Sequence, residues 1–420
     1  MQDRKRGTVR DLRRGNRSAV LWSLYLGQPC SRQDLSAATG LSAASVTNVI
    51  RELLHEGIVI ETGLEDSDGG RPRAVLGMNP EYGYVIGVDI GETRTRVELF
   101  DLTMTERARV EYPLGRTAEY DVDVVVAQIV SGLNAVLADS EIDRASVLGV
   151  GIGVPGIVEQ GPEVLVHGQT YGWDAVPLER LLHAHTDLPL RFDNGAKTMG
   201  QAELWFGAGR GARNAAVVLI GSGVGASLFS GGTIYQGAAT SSATEFGHIT
   251  LMVGGRRCRC GSAGCLEAYA GAGAILERYG RPVAAHDQES ALSELVDAAA
   301  SSSLAASILE ETAQYLGAGI GTLINLFSPD RVILGGWAGL LLGGQFLPLI
   351  RESARQQSMR HPFAATWIEL GQLGPGAVAL GAATLPMESF LNGSGVSRNG
   401  PGLSRANTAE PVNRGRVQPV

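Results

Sequence analysis

The sequence predicts an α/β protein with an N-terminal winged helix-turn-helix domain, residues 1–77, followed by a larger α/β domain, residues 83–385. Three observations support this prediction. Residues 9–56 carry three helical patterns of apolar residues, and a strand and a basic glycine turn follow them. From residue 83 onward, apolar strands alternate with longer helical segments. A glycine-rich loop in the second half of the chain contains three cysteines and a histidine.

Length and composition are those of a globular protein with two or three domains, since 44% of the 420 residues are hydrophobic. A net charge of −8 argues against a protein that coats nucleic acid with its whole surface. The positive charge is concentrated, because residues 1–17 contain seven arginines and lysines against two aspartates, a local net charge of +5. The polar, basic first residues do not predict a signal peptide, and no apolar run reaches the ~18 residues of a membrane span. We therefore expect a cytoplasmic protein that makes no contact with a membrane.

The N-terminal pattern is typical of a helix-turn-helix. An amphipathic helix over residues 9–26 precedes a short helix that Ser31 caps, with Asp34 at the third helical position. After the turn at residues 40–41, Ser42 opens a third helix that runs to about Glu56. One face of that helix is apolar and consists of Val46, Val49, Ile50, Leu53 and Leu54. A strand from Ile58 and a basic hairpin then complete the winged plan.

The opposite face of the third helix carries short and polar side chains that suit the major groove of DNA. Asparagine pairs with adenine edges and arginine with guanine, whereas arginines on a wing lie in or beside the minor groove. The predicted DNA contacts are Ala44, Thr47, Asn48 and Arg51 on the helix, and Arg71 and Arg73 on the wing. The alternative is a three-helix interaction module with a solvated polar face.

The loop from Glu245 to Glu267 predicts a metal site. Three thiolates and one imidazole are the donor set of a closed tetrahedral zinc site, which leaves no position for water and is therefore structural. The predicted Zn²⁺ ligands are His248, Cys258, Cys260 and Cys265. Glu245 and Glu267 bracket the loop, and paired carboxylates suit the hydroxyls of a sugar. The alternative is a set of reduced thiols packed in a core, with the histidine nearby by accident.

The motif E-x-G-H followed by C-x-C-G-x-x-G-C-L-E resembles the zinc and sugar signature of the ROK family (repressors, open reading frames, sugar kinases). The resemblance continues through residues 220–226 and 231–237 and covers roughly residues 83–385. It implies an actin-like ATPase (ribonuclease H-like) fold with two lobes, at about 83–195 and 196–385. The additional N-terminal domain resembles that of ROK transcriptional regulators, of the xylose and N-acetylglucosamine repressor type, which the shorter kinases lack.

The resemblance also implies which residues bind the sugar. These are Asn194, Glu245, His248 and Glu267, each a donor or an acceptor for a hydroxyl group. His248 would use one ring nitrogen for zinc and the other for the sugar. Trp173 lies in a segment that the family places beside the sugar, and packing and sugar contact remain equally open for it.

The phosphate motifs of the superfamily are present but altered. Residues 85–102 predict two strands joined by a turn at Gly91, where D-x-G-x-T resembles the first phosphate motif. The residues that match phosphate-binding positions are Asp89, Gly91, Thr93, Gly221 and Gly223. Glu92 stands where family kinases commonly carry glycine, and a carboxylate there would repel a triphosphate. We therefore interpret this site as vestigial.

The catalytic aspartate of the family kinases is also missing. Those kinases carry E-N-D-A-N-x-x-x-x-G-E, and its aspartate takes the proton from the attacking sugar hydroxyl. When the segment is aligned on Glu203, the aspartate position falls on Gly195, which has no side chain and cannot be a general base. The alternative is a register slip that puts Asp193 in the base position. We expect no catalytic residue and no enzyme activity.

Together these features predict a sugar-responsive DNA-binding transcriptional regulator, a repressor of carbohydrate metabolism whose degenerate kinase cleft is used for sensing. One alternative is an active ATP-dependent sugar kinase with an added DNA-binding domain, and another is a zinc-stabilised scaffold that binds neither sugar nor DNA. We expect a homodimer or homotetramer, because a helix-turn-helix protein reads the two half-sites of a palindromic operator. Residues 374–385 predict a final alanine-rich helix, and residues 387–420 a disordered tail.

Overall fold

The computed structural model describes residues 9–65, 72–114, 121–237 and 244–393. Its N-terminal part contains three helices and a three-stranded antiparallel sheet with the strand order β1-β3-β2. The elements are α1 (Val9–Gly27), β1 (Cys30–Ser31), α2 (Arg32–Thr39), α3 (Ala43–His55), β2 (Val59–Glu65) and β3 (Arg73–Met78). The order of these elements is the one that the sequence predicts, three helices followed by a β-hairpin. The tip of the hairpin, including Arg71, lies outside the described residues.

Local capping explains where the short helices begin. The hydroxyl of Ser31 accepts a hydrogen bond from Asp34 N, and the Asp34 carboxylate accepts one from Ser31 N at 2.8 Å, which completes a capping box. Ser42 caps α3 through a bond from Ser45 N at 3.2 Å. These side chains satisfy amide groups that helix ends leave without partners, so each boundary is fixed by local sequence.

The first lobe of the larger domain is built on a five-stranded sheet with the order β11-β7-β4-β5-β6. Its strands are β4 (Tyr84–Ile90), β5 (Arg94–Asp101), β6 (Glu106–Pro113), β7 (Val147–Val154) and β11 (Leu190–Asn194), with helices α4 (Val122–Ser140) and α5 (Leu178–His183). A smaller sheet beside it contains β8 (Ile157–Glu159), β9 (Leu165–Gly168) and β10 (Trp173–Val176). Among the described helices, α4 is long and apolar enough to cross a membrane, but it packs on β5 and β6 as a core helix does.

The second lobe has a five-stranded sheet with the order β14-β13-β12-β15-β16. Its strands are β12 (Ala215–Ile220), β13 (Val224–Ser230), β14 (Thr233–Ile234), β15 (Arg331–Gly335) and β16 (Trp367–Leu370). Its helices are α7 (Glu267–Ala270), α8 (Ala272–Arg278), α9 (Gln288–Ala298), α10 (Ser303–Phe327), α11 (Trp337–Gln357) and α12 (Arg360–Ala365). Two sheets with covering helices give the two-lobed α/β architecture that the sequence predicts.

Two helices, α6 (Gly195–Phe206) and α13 (Ala377–Leu391), pack against each other beside the first sheet. Strands β4 and β7 approach α13 so closely that a Cβ atom at Gly87 would lie 1.9 Å from Ala379 O, and one at Gly151 would lie 1.7 Å from Ala382 O. Helix α13 therefore packs on the first lobe, although it follows the second lobe in the chain. This position differs from the predicted division of the lobes at residue 195.

The last helix is also longer than predicted. It continues to Leu391 instead of ending at Leu385, because Met387 and Leu391 are fully buried. The first five residues of the predicted tail thus belong to the helix. Residues 394–420 lie outside the described part of the chain.

The N-terminal domain and the larger domain share one hydrophobic cluster. Trp205, at the end of α6, packs edge-on against Trp22 of α1, with ring centroids 5.1 Å apart, and lies 5.8 Å from the ring of Tyr25. Met387 and Leu391 of α13 belong to the same cluster. Helix α1 therefore packs against α6 and α13 as well as against the helices of its own domain.

Candidate functional site

The candidate site is a cleft of about 970 Å³ whose lining comes from both lobes. Its walls are the β4–β5 turn, the end of β11, the start of α6, the β12–β13 turn and the cysteine loop. Loop and strand-end residues carry the polar groups, while the two sheets hold them in place. This is the position where open α/β sheets bind their ligands, at the carboxyl ends of parallel strands.

The cysteine loop brings its four predicted ligands together. One ligand atom from each of His248, Cys258, Cys260 and Cys265 lies within 4.8 Å of all the others. Two pairs are close, since Cys258 Sγ lies 3.6 Å from His248 Nδ1 and Cys260 Sγ lies 3.8 Å from Cys265 Sγ. Three thiols and one imidazole at these distances can close around a single metal ion. The chemistry of the donor set thus fits a structural metal site.

The backbone of this loop is folded tightly enough to fix the ligands. Cys258 N donates to Ser262 O at 2.9 Å, and Gly261 N donates back to Cys258 O at 3.0 Å. Gly264 has a φ of +79°, and a Cβ there would lie only 1.7 Å from Met252 O. Only glycine fits at that position, which accounts for the glycine-rich sequence of the loop.

The two carboxylates predicted to bind sugar differ in their surroundings. Glu245 lies just before the single helical turn that ends at His248, and burial raises its pKa above the usual value. Burial alone would also raise the pKa of Glu267. Its pKa is nevertheless lowered, because Arg259 contributes hydrogen bonds and a positive charge and Val224 N donates a further hydrogen bond. Glu267 is therefore held as a carboxylate, and both groups line the cleft.

Arg259, between the first two cysteines, was not predicted as a site residue. Its Nη1 and Nη2 atoms lie 2.6 and 2.9 Å from the two carboxylate oxygens of Glu92, and its Nε lies 2.8 Å from Glu267 Oε1. The guanidinium group thus connects the β4–β5 turn of the first lobe with the start of α7 in the second. The repulsive carboxylate expected at Glu92 is present, but it is already engaged by Arg259.

Asn194 and Gly195 lie at the cleft where β11 passes into α6. The Asn194 side chain accepts from Ala196 N at 2.8 Å and donates to Gly156 O at 2.7 Å, so much of its hydrogen-bonding capacity fixes the helix start. Gly195 has room for a side chain, because the atoms nearest to an added Cβ would be 3.6 and 3.7 Å away. Crowding therefore does not explain why this position is a glycine.

Asp193 does not line the cleft. It is only 9% exposed, and its Oδ1 lies 3.8 Å from Nζ of Lys197. Lys197 itself is 1% exposed and donates to Gln236 Oε1 at 2.9 Å, and burial lowers its pKa. This buried lysine was not predicted as a site residue, because its position in a helical pattern gave no sign of its polar partners.

The five residues predicted as vestigial phosphate contacts meet from both sides of the cleft. Asp89, Gly91 and Thr93 lie at the β4–β5 turn, and Gly221 and Gly223 lie at the β12–β13 turn. Burial raises the pKa of Asp89 to about 7. The Gly91 carbonyl accepts a hydrogen bond from the hydroxyl of Tyr171 at 2.7 Å, which ties the first turn to the smaller sheet.

Trp173 is packed in the small sheet and also lines the cleft, and its contact with a sugar stays a prediction. It is buried, its ring lies 4.9 Å from that of Tyr171 at 66°, and it lines the cleft. His167 on the same small sheet lies 3.1 Å from Glu159 Oε2 and 3.4 Å from Asp174 Oδ1. The small sheet thus supplies an aromatic wall and a polar rim to the cleft.

The predicted DNA-contact face of α3 is presented to solvent. Ala44, Asn48 and Arg51 are exposed and Thr47 is half-buried, while Arg51 Nη1 donates to Asn48 Oδ1 at 3.2 Å. Arg73 is exposed at the start of β3. The opposite face of α3 is buried in the core of the domain, so only the polar face can meet a partner.

Known proteins are similar to this chain over most of its length. A xylose repressor from Caldicellulosiruptor bescii is 29% identical over 392 residues, which cover 91% of this chain and 97% of the repressor. A solved ROK family transcriptional regulator, a homologue of Escherichia coli Mlc, has a TM-score of 0.73 and 25% identity and covers 91% of this chain and 97% of its own. A ROK glucokinase from Streptomyces griseus, in complex with glucose and AMPPNP, has a TM-score of 0.62 and 28% identity, covering 72% and 99% of the two chains.

The glucokinase matches a smaller share of this chain than the regulator does. The model of the ROK family matches residues 85–388, a region that extends from β4 into α13 and includes both lobes, the cysteine loop and the cleft. The chain belongs to the ROK family.

Proposed function

We propose that this protein is a sugar-responsive transcriptional regulator that represses genes of carbohydrate metabolism. The observation that carries the proposal is the contact between α1 and α6. Asn194 in the cleft caps the start of helix α6, and Trp205 near the other end of the helix packs against Trp22 of the DNA-binding domain. A kinase has no need of such a connection, whereas a sensor requires one. The likeness to repressors over nearly the whole chain agrees with this function.

The proposed DNA contacts are the exposed residues of α3 together with the wing. Ala44, Thr47, Asn48 and Arg51 would enter the major groove, and Arg71 and Arg73 would contact the minor groove or the backbone. The basic segment of residues 1–17 adds phosphate contacts that weaken as salt rises. We propose a homodimer or homotetramer in the cytoplasm that binds a palindromic operator.

Replacing Arg51 with alanine should weaken operator binding by about 1–3 kcal/mol, because a bidentate contact to guanine is lost. A gel-shift titration against an operator fragment selected from random DNA measures the loss. Arg109→Ala is the matched control, since Arg109 is an exposed arginine on β6 of the first lobe that pairs with Glu106 at 3.6 Å. Equal affinities of the two variants would mean that the recognition helix has been placed wrongly.

The proposed sensor is the cleft with its adjacent metal site. His248, Cys258, Cys260 and Cys265 would hold a structural zinc ion, and this would fix the loop between Glu245 and Glu267. We propose that Glu245, Glu267 and His248 bind sugar hydroxyls, and that Asn194 contributes through its remaining amide hydrogen. Sugar binding would change the balance between two arrangements of the DNA-binding domains, provided that the sugar binds one of them more tightly.

We propose further that the domain is not an active kinase. A general base is typically worth about 10²–10⁴-fold in rate, and Gly195 offers none. Asp193 is directed toward Lys197, so it is not placed to replace the missing base. Glu92 and Arg259 together occupy the region between the two glycine turns, where a kinase would hold its triphosphate.

One experiment separates a sensor from a kinase. Calorimetry of the purified protein against pentoses, hexoses and N-acetyl sugars should identify a ligand, and that ligand should change operator affinity in a gel-shift assay. The same preparation should show no sugar-dependent ATP turnover. Sugar-dependent turnover that is lost in Asp193→Ala would establish the kinase alternative, and no response to any sugar would contradict the sensing function.

A further inference from the structure

Arg259 lies at the end of the cleft where the two glycine turns face each other. It lies between the β4–β5 turn, where it binds Glu92, and the β12–β13 turn, where a Cβ added at Gly223 would lie 2.3 Å from its Nη2. Its remaining hydrogen bonds go to Glu267, at 2.8 Å from Nε and 3.3 Å from Nη2. Two carboxylates therefore balance the positive charge of the Arg259 guanidinium group. This group lies between the two turns whose counterparts in a kinase approach the phosphates.

The charges of the other two arginines that line the cleft are also balanced by carboxylates. Arg94 pairs with Glu111 at 3.1 Å and also with Glu289 of α9, across the cleft. Arg96 pairs with Glu111 at 2.7 Å and with Glu98 at 3.3 Å. Among the described residues of the cleft lining, each arginine thus already has two carboxylate partners, and the lining contains no lysine.

Carboxylates outnumber arginines in the lining of the cleft, by seven to three. The seven are Asp89, Glu92, Glu159, Asp174, Glu245, Glu267 and Glu289. Even with Asp89 protonated, the balance stays negative. A phosphate group that entered this cleft would lose part of its hydration and would be repelled by the carboxylates. The arginines that could bind it already pair with carboxylates. Binding a phosphate group in this partly buried site would therefore cost free energy. Sugar hydroxyls carry no charge and can donate hydrogen bonds to these same carboxylates.

We propose that the effector is an uncharged sugar bound without a nucleotide, and that Arg259 is the residue that determines this specificity. The inference rests on the proposed sensing function and names its ligand class. Arg259 fixes the position of the Glu267 side chain through hydrogen bonds from Nε and Nη2. Together with Glu92 it also occupies the space that a phosphate group would need. The cleft therefore selects against phosphorylated sugars and against nucleoside triphosphates.

Matched pairs of ligands test the ligand class on the wild-type protein. The probes are glucose and glucose 6-phosphate, N-acetylglucosamine and its 6-phosphate, xylose and xylose 5-phosphate, and AMPPNP with magnesium. For whichever pair binds, calorimetry should give at least about tenfold tighter binding of the uncharged member, equal to about 1.4 kcal/mol. A phosphorylated member that binds equally or more tightly overturns this inference and leaves sugar sensing intact. Failure of every pair overturns sugar sensing itself, and this inference with it.

The variant Glu92→Gln tests the role of Arg259. Without the Glu92 charge, only Glu267 balances the positive charge of Arg259, so Arg259 can bind a phosphate group. Hydrogen bonds between charged groups and phosphate are strong. The preference for the uncharged sugar of each pair should therefore fall by about tenfold or more. Glu294→Gln is the matched control, because it breaks the exposed Arg281–Glu294 pair, whose two residues do not line the cleft. Thermal melting establishes that both variants are folded. An unchanged preference in folded Glu92→Gln would overturn the role of Arg259.

Discussion

We expect Cys258→Ser to lose the bound metal and, with it, the response to sugar. A serine hydroxyl is a poor zinc ligand, and three remaining ligands cannot close the site. Apparent binding free energies of structural zinc are about 10–16 kcal/mol in small peptides, so the loop should lose most of its order with the metal. Glu245 and Glu267 flank that loop and should lose their relative positions. Elemental analysis of freshly purified protein should find one zinc per wild-type chain and close to none in the variant.

Cys30→Ser is the control for this experiment. Cys30 is a buried thiol in β1 of the N-terminal domain and does not belong to the metal cluster. Its serine variant should keep both the metal and the sugar response. The zinc proposal fails if wild-type protein is purified without zinc, and the proposed link to the sugar site fails if Cys258→Ser loses metal but binds sugar normally.

The second large effect is expected at the contact between the domains. Trp205→Ala should destabilise the protein by about 3–5 kcal/mol, because it removes a nearly buried indole from the shared cluster and leaves a cavity. Packing against Trp22 and Tyr25 would be lost at the same time. We expect the variant to bind sugar and operator, each by itself, but to show little effect of sugar on operator binding. Denaturant unfolding, calorimetry and gel shifts with and without sugar measure these three properties.

Trp367→Ala is the matched control, because Trp367 in β16 is 76% exposed and should contribute little to stability. Trp205→Phe keeps an aromatic ring and serves if the alanine variant does not fold. Normal coupling in a stable Trp205→Ala protein would mean that the signal reaches the DNA by another route.

Features that depend on neighbouring residues could be predicted from the sequence. The capping box of Ser31 and Asp34 needs only four consecutive residues, and α3 shows its buried face by the spacing of its apolar side chains. The four metal ligands lie within 18 positions, His248 to Cys265, and a tight loop brings them together. In each case the physical cause acts over a few residues, so a sequence pattern is sufficient to indicate it.

Features that depend on distant residues were missed. The partners Glu92 and Arg259 are 167 positions apart, and in the sequence Arg259 looks like an ordinary surface charge. A glutamate in a phosphate turn indicates that a positive side chain lies nearby to balance its charge. Only the folded structure shows that this side chain is Arg259. The end of α13 was placed too early for a similar reason, since Met387 and Leu391 are buried by contacts outside their own helix.

The length of α6 sets how far a change in the cleft can move the DNA-binding domain. Its 12 residues give a rod about 18 Å long, at 1.5 Å per residue. A tilt of about 5° at Asn194 would therefore displace the Trp205 end by roughly 1.5 Å, if the helix moves as a rigid body. In a dimer, opposite displacements would alter the spacing of the two recognition helices by twice that amount. The two half-sites of an operator lie about 34 Å apart. A change of this size in the spacing of the recognition helices would therefore move their side chains out of hydrogen-bonding distance of the bases.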